Sequence, residues 1–271
     1  MADRNAPVGV FDSGLGGLTV VKEIIRSLPE EKIVYFGDTA RVPYGSKSRD
    51  TIIHYTEQIL AFMKTKEVKA IVIACNTASA YALDAVREKV NVPIIGVVEP
   101  GARTAARITE NAKIGVIGTE GTVKSGLHGK YIKTLRPAAE VLTKACPLFV
   151  PLVEEGWWKD PVTEEVARRY TKELKNSGVD TLIMGCTHYP LLREVLEKVM
   201  GEGVRLVDPA RETALELKRL LQEKNLFSDG AAGEEKYRFY VSDDPERFLT
   251  FGNAVLNLSI PSAEKIDIEE Y

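Results

Sequence analysis

Residues 71–77, Ile-Val-Ile-Ala-Cys-Asn-Thr, return in altered form at 182–188 as Leu-Ile-Met-Gly-Cys-Thr-His. Each phrase is an apolar run, typical of a buried parallel strand, that ends in a cysteine followed by polar residues and a helical pattern. The two cysteines, Cys75 and Cys186, lie 111 residues apart. The chain therefore reads as two related halves, each with a thiol at the carboxyl end of a strand.

Two further pairs of phrases support the duplication. Residues 98–105 (Val-Glu-Pro-Gly-Ala-Arg-Thr-Ala) are similar to 207–214 (Val-Asp-Pro-Ala-Arg-Glu-Thr-Ala), and their prolines lie 109 residues apart. Residues 9–14 (Gly-Val-Phe-Asp-Ser-Gly) are similar to 115–120 (Gly-Val-Ile-Gly-Thr-Glu), at an offset of 106 residues. Near-constant offsets in three separate phrases indicate an internal repeat.

Short apolar runs alternate with longer stretches of helical periodicity along most of the chain, which is typical of an α/β protein with parallel sheets. We predict strands at 7–11, 32–37, 70–74, 94–97, 113–117, 148–151, 181–184, 204–207 and 237–241. We predict helices at 18–28, 49–66, 79–90, 163–176, 191–200 and 212–223, and an exposed loop at 228–235. The predicted fold is two pseudo-symmetric parallel-sheet α/β domains with the active site in the cleft between them.

Composition narrows the class of protein. The 271 residues include 36 basic and 39 acidic side chains, a net charge of -3, so nothing indicates a surface for nucleic acid. No uncharged apolar run approaches the roughly 18 residues of a membrane span, and no secretory signal is visible, so we expect a cytoplasmic protein with no membrane partner. Three cysteines at wide spacing argue against a disulfide framework.

The two repeated cysteines have the surroundings of reactive thiols. Ligands of open parallel sheets bind at the carboxyl ends of the strands, and a helix N-terminus there is expected to lower the pKa of a thiol from about 8.5. The hydroxyls of Thr77 and Thr187 and the neighbouring backbone N–H groups could hold a carboxylate. Cys146 has no such neighbours and is expected to be structural.

Other polar residues follow predicted strands. Asp12 is a candidate partner for an ammonium group, with Ser13 as a hydrogen-bond donor, although a simple helix cap would also explain it. Tyr44 and Gly45 lie in a tight turn that could approach a small ligand, or could be a surface turn. Glu154, in the second half, is a candidate carboxylate that faces the same cleft.

Two competing interpretations involve the same residues. Cys75, Cys186, His188 and Asp12 could in principle hold zinc, but the short cysteine spacing of tight zinc sites is missing, and we expect no metal. The glycines at 14, 16 and 17 follow a strand, but they lack the order of a dinucleotide loop and an acidic residue precedes them. For His188 a role in orienting or protonating a thiol is favoured over capping.

Four motifs together resemble those of one enzyme family. They are Asp12-Ser-Gly-Leu-Gly-Gly-Leu18, Pro43-Tyr-Gly45, Cys75-Asn-Thr77 and Cys186-Thr-His-Tyr-Pro190. In this order and at these separations they resemble glutamate racemases of the aspartate/glutamate racemase superfamily. The resemblance extends over roughly residues 7–215, and the motif positions show no departure from it.

The resemblance implies cofactor-independent interconversion of L- and D-glutamate, with the D-isomer supplied to peptidoglycan, by an enzyme that forms a homodimer. Cys75 would deprotonate the D-isomer and Cys186 the L-isomer. The thiols or the substrate ammonium would be tuned by Asp12, Glu154 and His188. Substrate would be held by Asp12, Ser13, Tyr44, Gly45, Asn76, Thr77, Thr187 and His188. The family fold implies a discontinuous first domain, 1–98 plus 208–271, and a second domain, 99–207.

The sequence is also compatible with rival functions. Racemisation of aspartate or another acid, or a decarboxylase with a single cysteine, would use the same scaffold. A two-lobed amino-acid binding module would need similar anion sites but has no need of two thiols. Two thiols suit racemisation because one group has to remove a proton from one face of the α-carbon and another has to return a proton to the opposite face.

Because the two thiols lie in separate halves, we predict that the halves move around a bound substrate. Solution scattering and the fluorescence of a probe in the cleft should both change when substrate is added. Identical scattering profiles and identical probe fluorescence with and without substrate would contradict this prediction.

Overall fold

The structure is a computed structural model that describes residues 3–230, 236–257 and 260–271. Its strands in chain order are β1 (Val8–Asp12), β2 (Ile33–Gly37), β3 (Ala70–Ile73), β4 (Ile94–Gly96), β5 (Lys113–Gly118), β6 (Glu140–Ala145), β7 (Thr181–Gly185), β8 (Arg205–Val207), β9 (Tyr237–Val241) and β10 (Glu264–Lys265). Its α-helices are α1 (Leu18–Ser27), α2 (Arg49–Thr65), α3 (Asn76–Val86), α4 (Val98–Ile108), α5 (Glu120–Ser125), α6 (Leu127–Leu135), α7 (Phe149–Glu154), α8 (Pro161–Asn176), α9 (Arg193–Met200), α10 (Pro209–Glu223) and α11 (Pro245–Leu256).

The strands form two sheets in which every described pair of neighbours is parallel. The first sheet has the order β10-β9-β2-β1-β3-β4 and the second has the order β6-β5-β7-β8. The block β2-β1-β3-β4 therefore has the same topology as β6-β5-β7-β8. The structure confirms the predicted fold class, two pseudo-symmetric α/β domains with parallel sheets.

The C-terminal part of the chain returns to the first sheet, since β9 pairs with β2 and β10 pairs with β9. All four strands of the second sheet, β5 to β8, lie in the chain between β4 and β9 of the first sheet. Helix α10 packs against both α1 and α4 and so bridges the two parts. The domain limits at 98/99 and 207/208 stay a prediction.

Burial explains why the central strands are so apolar. All residues of β1, β2, β3 and β7 are buried, because helices cover both faces of each sheet. The helices present one apolar stripe to the sheet, as in α1, where Val20, Val21 and Ile24 are buried. This packing fixes the strand ends from which the polar site residues project.

One predicted strand was wrong. Residues 148–151 do not form a strand, because 149–154 is the helix α7, which buries Phe149 and Val153 on one face. The strand of this region is β6, at the edge of the second sheet. Its sequence, Glu-Val-Leu-Thr-Lys-Ala, is half-exposed and lacks the continuous apolar run of a central strand.

Several helices were not predicted. The helices α4, α5, α6, α7 and α11 had no prediction, and α3 begins at Asn76 instead of residue 79. In α4 the buried face is made of small residues, including Gly101, Ala102 and Ala105, which give a weak apolar signal. Of the predicted loop at 228–235, residues 231–235 lie outside the described residues. None of the described helices is both long and apolar enough to cross a bilayer.

A buried ion pair supports the first sheet near the start of β3. Lys69 Nζ lies 2.5 Å from Glu31 Oε2 and donates to the backbone carbonyl of Arg4 at 2.5 Å. The side chains of Lys69 and Glu31 are 0% and 2% exposed. Each charge therefore depends on the other for most of its stabilisation.

We predict that Lys69→Met lowers the free energy of unfolding by about 3–5 kcal/mol, because the Glu31 carboxylate would be left buried without its partner. Urea denaturation measures the loss. Lys89→Met is the matched control, because Lys89 pairs with Glu57 on the surface. This substitution should lower the free energy of unfolding by no more than about 1 kcal/mol. Equal losses for the two variants would contradict the prediction.

Candidate active site

The carboxyl ends of the two sheets face each other and bring the polar residues of both halves together. Asp12 ends β1 and Cys75 follows β3, while Thr119 follows β5 and Cys186 follows β7. Several hydrogen bonds cross between the halves, and two of them join strand-end residues of this site. Thr187 Oγ1 donates to Asp12 Oδ1 at 3.3 Å, and the hydroxyls of Thr77 and Thr119 are 2.9 Å apart.

Cys75 caps the N-terminus of α3. Its Sγ accepts the backbone N–H of Ala78 at 3.5 Å, and the residue is 6% exposed. Burial, followed by the nearby charge of Asp12, raises the pKa of the Cys75 thiol to about 12, although hydrogen bonds from Ala78 and Ser13 act in the opposite direction. The expectation of a lowered pKa is therefore wrong for this thiol, because desolvation outweighs the helix N-terminus.

Cys186 lies at the end of a chain of polar contacts. Its Sγ is 3.8 Å from His188 Nδ1, and His188 Nε2 is 3.0 Å from Glu154 Oε1. The second oxygen of Glu154, Oε2, accepts a hydrogen bond from Arg247 Nη2 at 3.0 Å. The sequence places His188 and Glu154 near the thiols, but it does not indicate Arg247, which is 61 residues further along the chain than Cys186.

This chain of contacts stabilises a positive His188. Burial alone would lower the pKa of the imidazole, but its hydrogen bonds and charge interactions with Cys186 and Glu154 raise it to about 10. Burial acts to raise the pKa of Glu154, and the hydrogen bond to His188 with the charges of His188 and Arg247 brings it below its ordinary value. An imidazolium cation beside a sulfur atom stabilises negative charge on that sulfur.

Asp12 is fully buried between the two halves. Its Oδ2 accepts the backbone N–H of Gly14 at 3.0 Å, and it also accepts hydrogen bonds from Thr187 and the backbone of Gly17. Burial raises the pKa of Asp12, and the charge of His188 opposes that effect. A buried carboxylate of this kind would gain a strong electrostatic contact from an arriving ammonium group.

Three threonine hydroxyls form a cluster that spans the halves. Thr122 Oγ1 lies 3.2 Å from Thr77 Oγ1 and 3.0 Å from Thr119 Oγ1. The sequence-based site contained Thr77 but neither Thr119 nor Thr122. The repeat contained a signal for Thr119, because residue 119 has the same place after β5 as Ser13 has after β1.

Asn76 has a side-chain oxygen available for a ligand. Its Oδ1 is buried and has no hydrogen-bond partner among the described residues. The residue is the first of α3 and directly follows Cys75. Because an unpartnered buried polar atom costs about 1–3 kcal/mol, a bound donor such as an ammonium group would stabilise it.

Tyr44 and Gly45 lie in a short 3-10 turn, Tyr44–Ser46. The Tyr44 hydroxyl donates to Asp38 and is thus already engaged within the first half. Gly45 lies against the second half, since a Cβ atom at this position would come within 2.6 Å of Thr119 Cβ. At this turn it is the backbone, and not the tyrosine hydroxyl, that approaches the other half.

The glycine-rich loop after β1 has a packing role. A Cβ atom on Gly16 would lie 2.4 Å from both His188 Nδ1 and Thr187 Oγ1, and one on Gly17 would lie 2.4 Å from Asp12 Cβ. Glycine is required at position 16 because site residues of the second half come so close to the backbone, and at position 17 because Asp12 of the same half does.

Both thiols of the site are nearly shut off from solvent. Cys186 is 7% exposed, and Asn76, Thr77, Thr187 and His188 are also buried. A cavity of about 1410 Å³ lies elsewhere, at the amino ends of the first sheet, where Pro7, Ile33 and Lys69 contribute to its lining. The third cysteine, Cys146, is buried in the apolar core. No group of three or more His, Cys, Asp or Glu suited to a metal ion occurs within the described ranges.

Comparison with known proteins relates this chain to one enzyme family. The sequence profile of the Asp/Glu/Hydantoin racemase family matches residues 8–217. A glutamate racemase of Geobacter metallireducens is 48% identical over 262 residues, which are 97% of each chain. The chain belongs to the glutamate racemase family.

Solved structures of the family have the same fold. A glutamate racemase of Bacillus anthracis superposes with a TM-score of 0.93 at 39% identity, over 97% of this chain and 98% of that one. A glutamate racemase of Francisella tularensis, in complex with D-glutamate, gives a TM-score of 0.92 at 39% identity, over 99% and 100% of the two chains. This similarity over nearly the full length identifies the protein as an amino-acid racemase, an isomerase.

We predict that Gly16→Ala lowers kcat/KM for racemisation by about a hundredfold, because displacement of site groups by about 1 Å can have an effect of that size. A racemisation assay by circular dichroism measures the loss. Gly203→Ala is the matched control, since no atom lies within 4 Å of a Cβ atom at that position. Unchanged activity of Gly16→Ala at full folding would contradict the prediction.

Proposed function

We propose that the protein interconverts L- and D-glutamate without a cofactor, by proton transfer between the substrate α-carbon and the two thiols of Cys75 and Cys186. The observation on which this proposal rests is the placement of two buried thiols at the carboxyl edges of opposing sheets, one from each half. The D-glutamate complex of the Francisella tularensis relative supports the choice of substrate.

The reaction needs one base and one acid on opposite faces of the α-carbon. One thiolate takes the α-proton, and the C–H electron pair stays on the substrate as a carbanion. The opposite thiol then gives its proton to that carbon, so the stereocentre is inverted and the two sulfur atoms have exchanged protonation states. The next turnover in the same direction requires both thiols to return to their starting states.

The surroundings of the two thiols differ. The raised pKa of Cys75, about 12, keeps this group protonated at neutral pH and ready to act as the acid. The sulfur of Cys186 lies beside His188, whose raised pKa keeps it positive. We infer that Cys186 is the base in the direction that starts from this state, which by family analogy is the direction from L-glutamate.

The polar groups around the thiols suit the charges of an amino acid. The Asp12 carboxylate and Asn76 Oδ1 would accept from the substrate ammonium, with Ser13 close by. The hydroxyls of Thr77, Thr119, Thr122 and Thr187 and the backbone at Tyr44 and Gly45 would hold the carboxylates. Such fixed donors need no rearrangement as charge develops on the substrate, which is the main source of electrostatic stabilisation in enzymes.

Binding would require the site to open. The α-hydrogen of an amino acid is very weakly acidic, so a dry, closed site helps to stabilise the carbanion. The low exposure of both thiols is that of a closed state. We propose that residues 1–98 plus 208–271 move as one domain against residues 99–207 to admit the substrate.

The biological setting follows from the proposed product. We propose that the enzyme works in the cytoplasm as a homodimer and supplies D-glutamate for peptidoglycan and thus for cell shape. The bacterial origin of the relatives supports this role. The proposal includes no nucleic-acid partner, which agrees with the net charge of -3, and no membrane partner.

We predict that the protein in deuterated water exchanges the α-hydrogen of both glutamate enantiomers and inverts them. Cys75→Ala and Cys186→Ala should each lose inversion by about 10²-fold to 10⁴-fold, the usual effect of a missing acid or base. NMR and chiral chromatography follow exchange and inversion separately. Any residual exchange should be confined to one enantiomer, and to opposite enantiomers in the two variants.

Cys146→Ala is the control. This substitution should leave inversion intact, because the Cys146 thiol lies in the apolar core. Absence of exchange with wild-type protein would refute glutamate racemisation, and faster exchange of aspartate would redirect the proposal to that substrate. Unchanged inversion in both Cys75→Ala and Cys186→Ala would refute the assignment of the thiols.

A further inference from the structure

A C-terminal helix of the first half contacts the polar chain that leads to Cys186. Helix α11 follows β9, a strand of the first sheet, whereas Glu154 and His188 belong to the half that contains the second sheet. The two oxygens of the Glu154 carboxylate are shared, one with Arg247 and one with His188, at 3.0 Å each. A continuous path of contacts therefore runs from Arg247 to the Cys186 sulfur.

The position of Arg247 is fixed by its helix. Its backbone N–H donates to the side chain of Asp244, the N-cap of α11, at 3.0 Å. Phe248, the next residue, is fully buried and its ring stacks on Tyr35 in the first half at 5.7 Å between centroids. The start of α11 is thus held in the first half, and the guanidinium extends from it towards Glu154.

A second residue of α11 contacts the same pair. The Phe251 ring lies 6.2 Å from the His188 ring, and Phe251 follows Arg247 by four residues, which puts the two on one face of the helix. This face covers the outer side of the His188–Glu154 pair. Among the described residues, the groups that act on the Cys75 sulfur are Asp12, Ser13, Ala78 and Cys186, and none of them belongs to α11.

We propose that Arg247 is a positioning residue for proton transfer at Cys186, which holds the Glu154 carboxylate, and through it His188, in place when the two halves come together. The inference rests on the proposed racemisation mechanism and deepens it. It assigns a role to a residue that lies beyond the 8–217 segment matched by the family profile. It also makes the two thiols unequal, since Arg247 acts on only one of them.

The charges around Glu154 fix the expected direction of a pH effect. The charged groups that act on this carboxyl are His188, on the second half, and Arg247, on α11, and both lower its pKa against the effect of burial. Cys186 and Asp12 act one step further, on His188. Removal of the Arg247 charge should therefore raise the pKa of Glu154, and the acid limb of kcat/KM should move to higher pH.

The test compares Arg247→Gln and Arg247→Lys with wild type. We expect Arg247→Gln to lower kcat/KM by about threefold to tenfold, the effect of a partly exposed ion pair, and Arg247→Lys to recover most of it because the charge is retained. Arg169→Gln is the control, since it removes an arginine of similar charge from a surface pair with Glu165. It should leave kcat/KM and its pH profile unchanged.

Rates alone cannot say which thiol is affected, because the enantiomers have equal free energy and kcat/KM must change equally in both directions. The deciding measurement is the primary isotope effect of α-deuterated L- and D-glutamate. In Arg247→Gln the effect should increase in the direction in which Cys186 removes the deuteron and decrease in the opposite direction. Arg169→Gln should leave both isotope effects as in wild type.

A double variant completes the test. In a Glu154→Gln background, Arg247→Gln should have little further effect, because the two residues act through one contact. Isotope effects that are unchanged from wild type in both directions, or that change in the same sense in both, would overturn the inference, as would additive losses in the double variant. Failure of wild type to racemise glutamate would instead overturn the proposed function, and the pKa of Glu154 by carboxyl ¹³C NMR, without substrate, would still test the Arg247 contact.

Discussion

Both sheets are parallel, so all the strands of a sheet end at one edge, and the whole site depends on the contact between these two edges. Each edge supplies one thiol, one strand-end hydroxyl or carboxylate, and a helix N-terminus. Hydrogen bonds between Asp12 and Thr187, and between Thr77 and Thr119, join the edges. The proposed mechanism uses this facing arrangement to place one thiol on each side of the substrate.

The duplication is symmetric in topology but not in chemistry. Cys75 and Cys186 occupy the same place after equivalent strands. The buried carboxylate of Asp12 acts on Cys75, whereas Cys186 lies beside His188, which pairs with Glu154. Substrate enantiomers are mirror images, but the binding groups around them are not. Unequal thiols are therefore compatible with an equilibrium constant of one, because that constant is a property of the substrate and not of the protein.

Burial has two opposing effects in this site. It removes water, which strengthens each hydrogen bond and excludes competing protons. It also penalises charge, and in the case of Cys75 this penalty exceeds the benefit of the helix N-terminus. The protein compensates at Cys186 with a cation, and it satisfies the remaining charge of Glu154 with an arginine from the other half.

The sequence by itself determined the fold class, the repeat, the parallel strands of both sheet centres and the two strand-end thiols. These features follow from local patterns, since an apolar run, a cysteine and a polar turn are adjacent in the chain. It did not determine the edge strand β6, which is half-exposed and lacks a continuous apolar run, nor the helix α4, whose buried face consists of small residues. Only the tertiary structure showed that Thr119, Thr122 and Arg247 lie next to the other site residues. It also decided that the pKa of the Cys75 thiol is raised. The physical reason is that burial and cross-half contacts arise from the packing of residues far apart in the chain, and no local pattern records them.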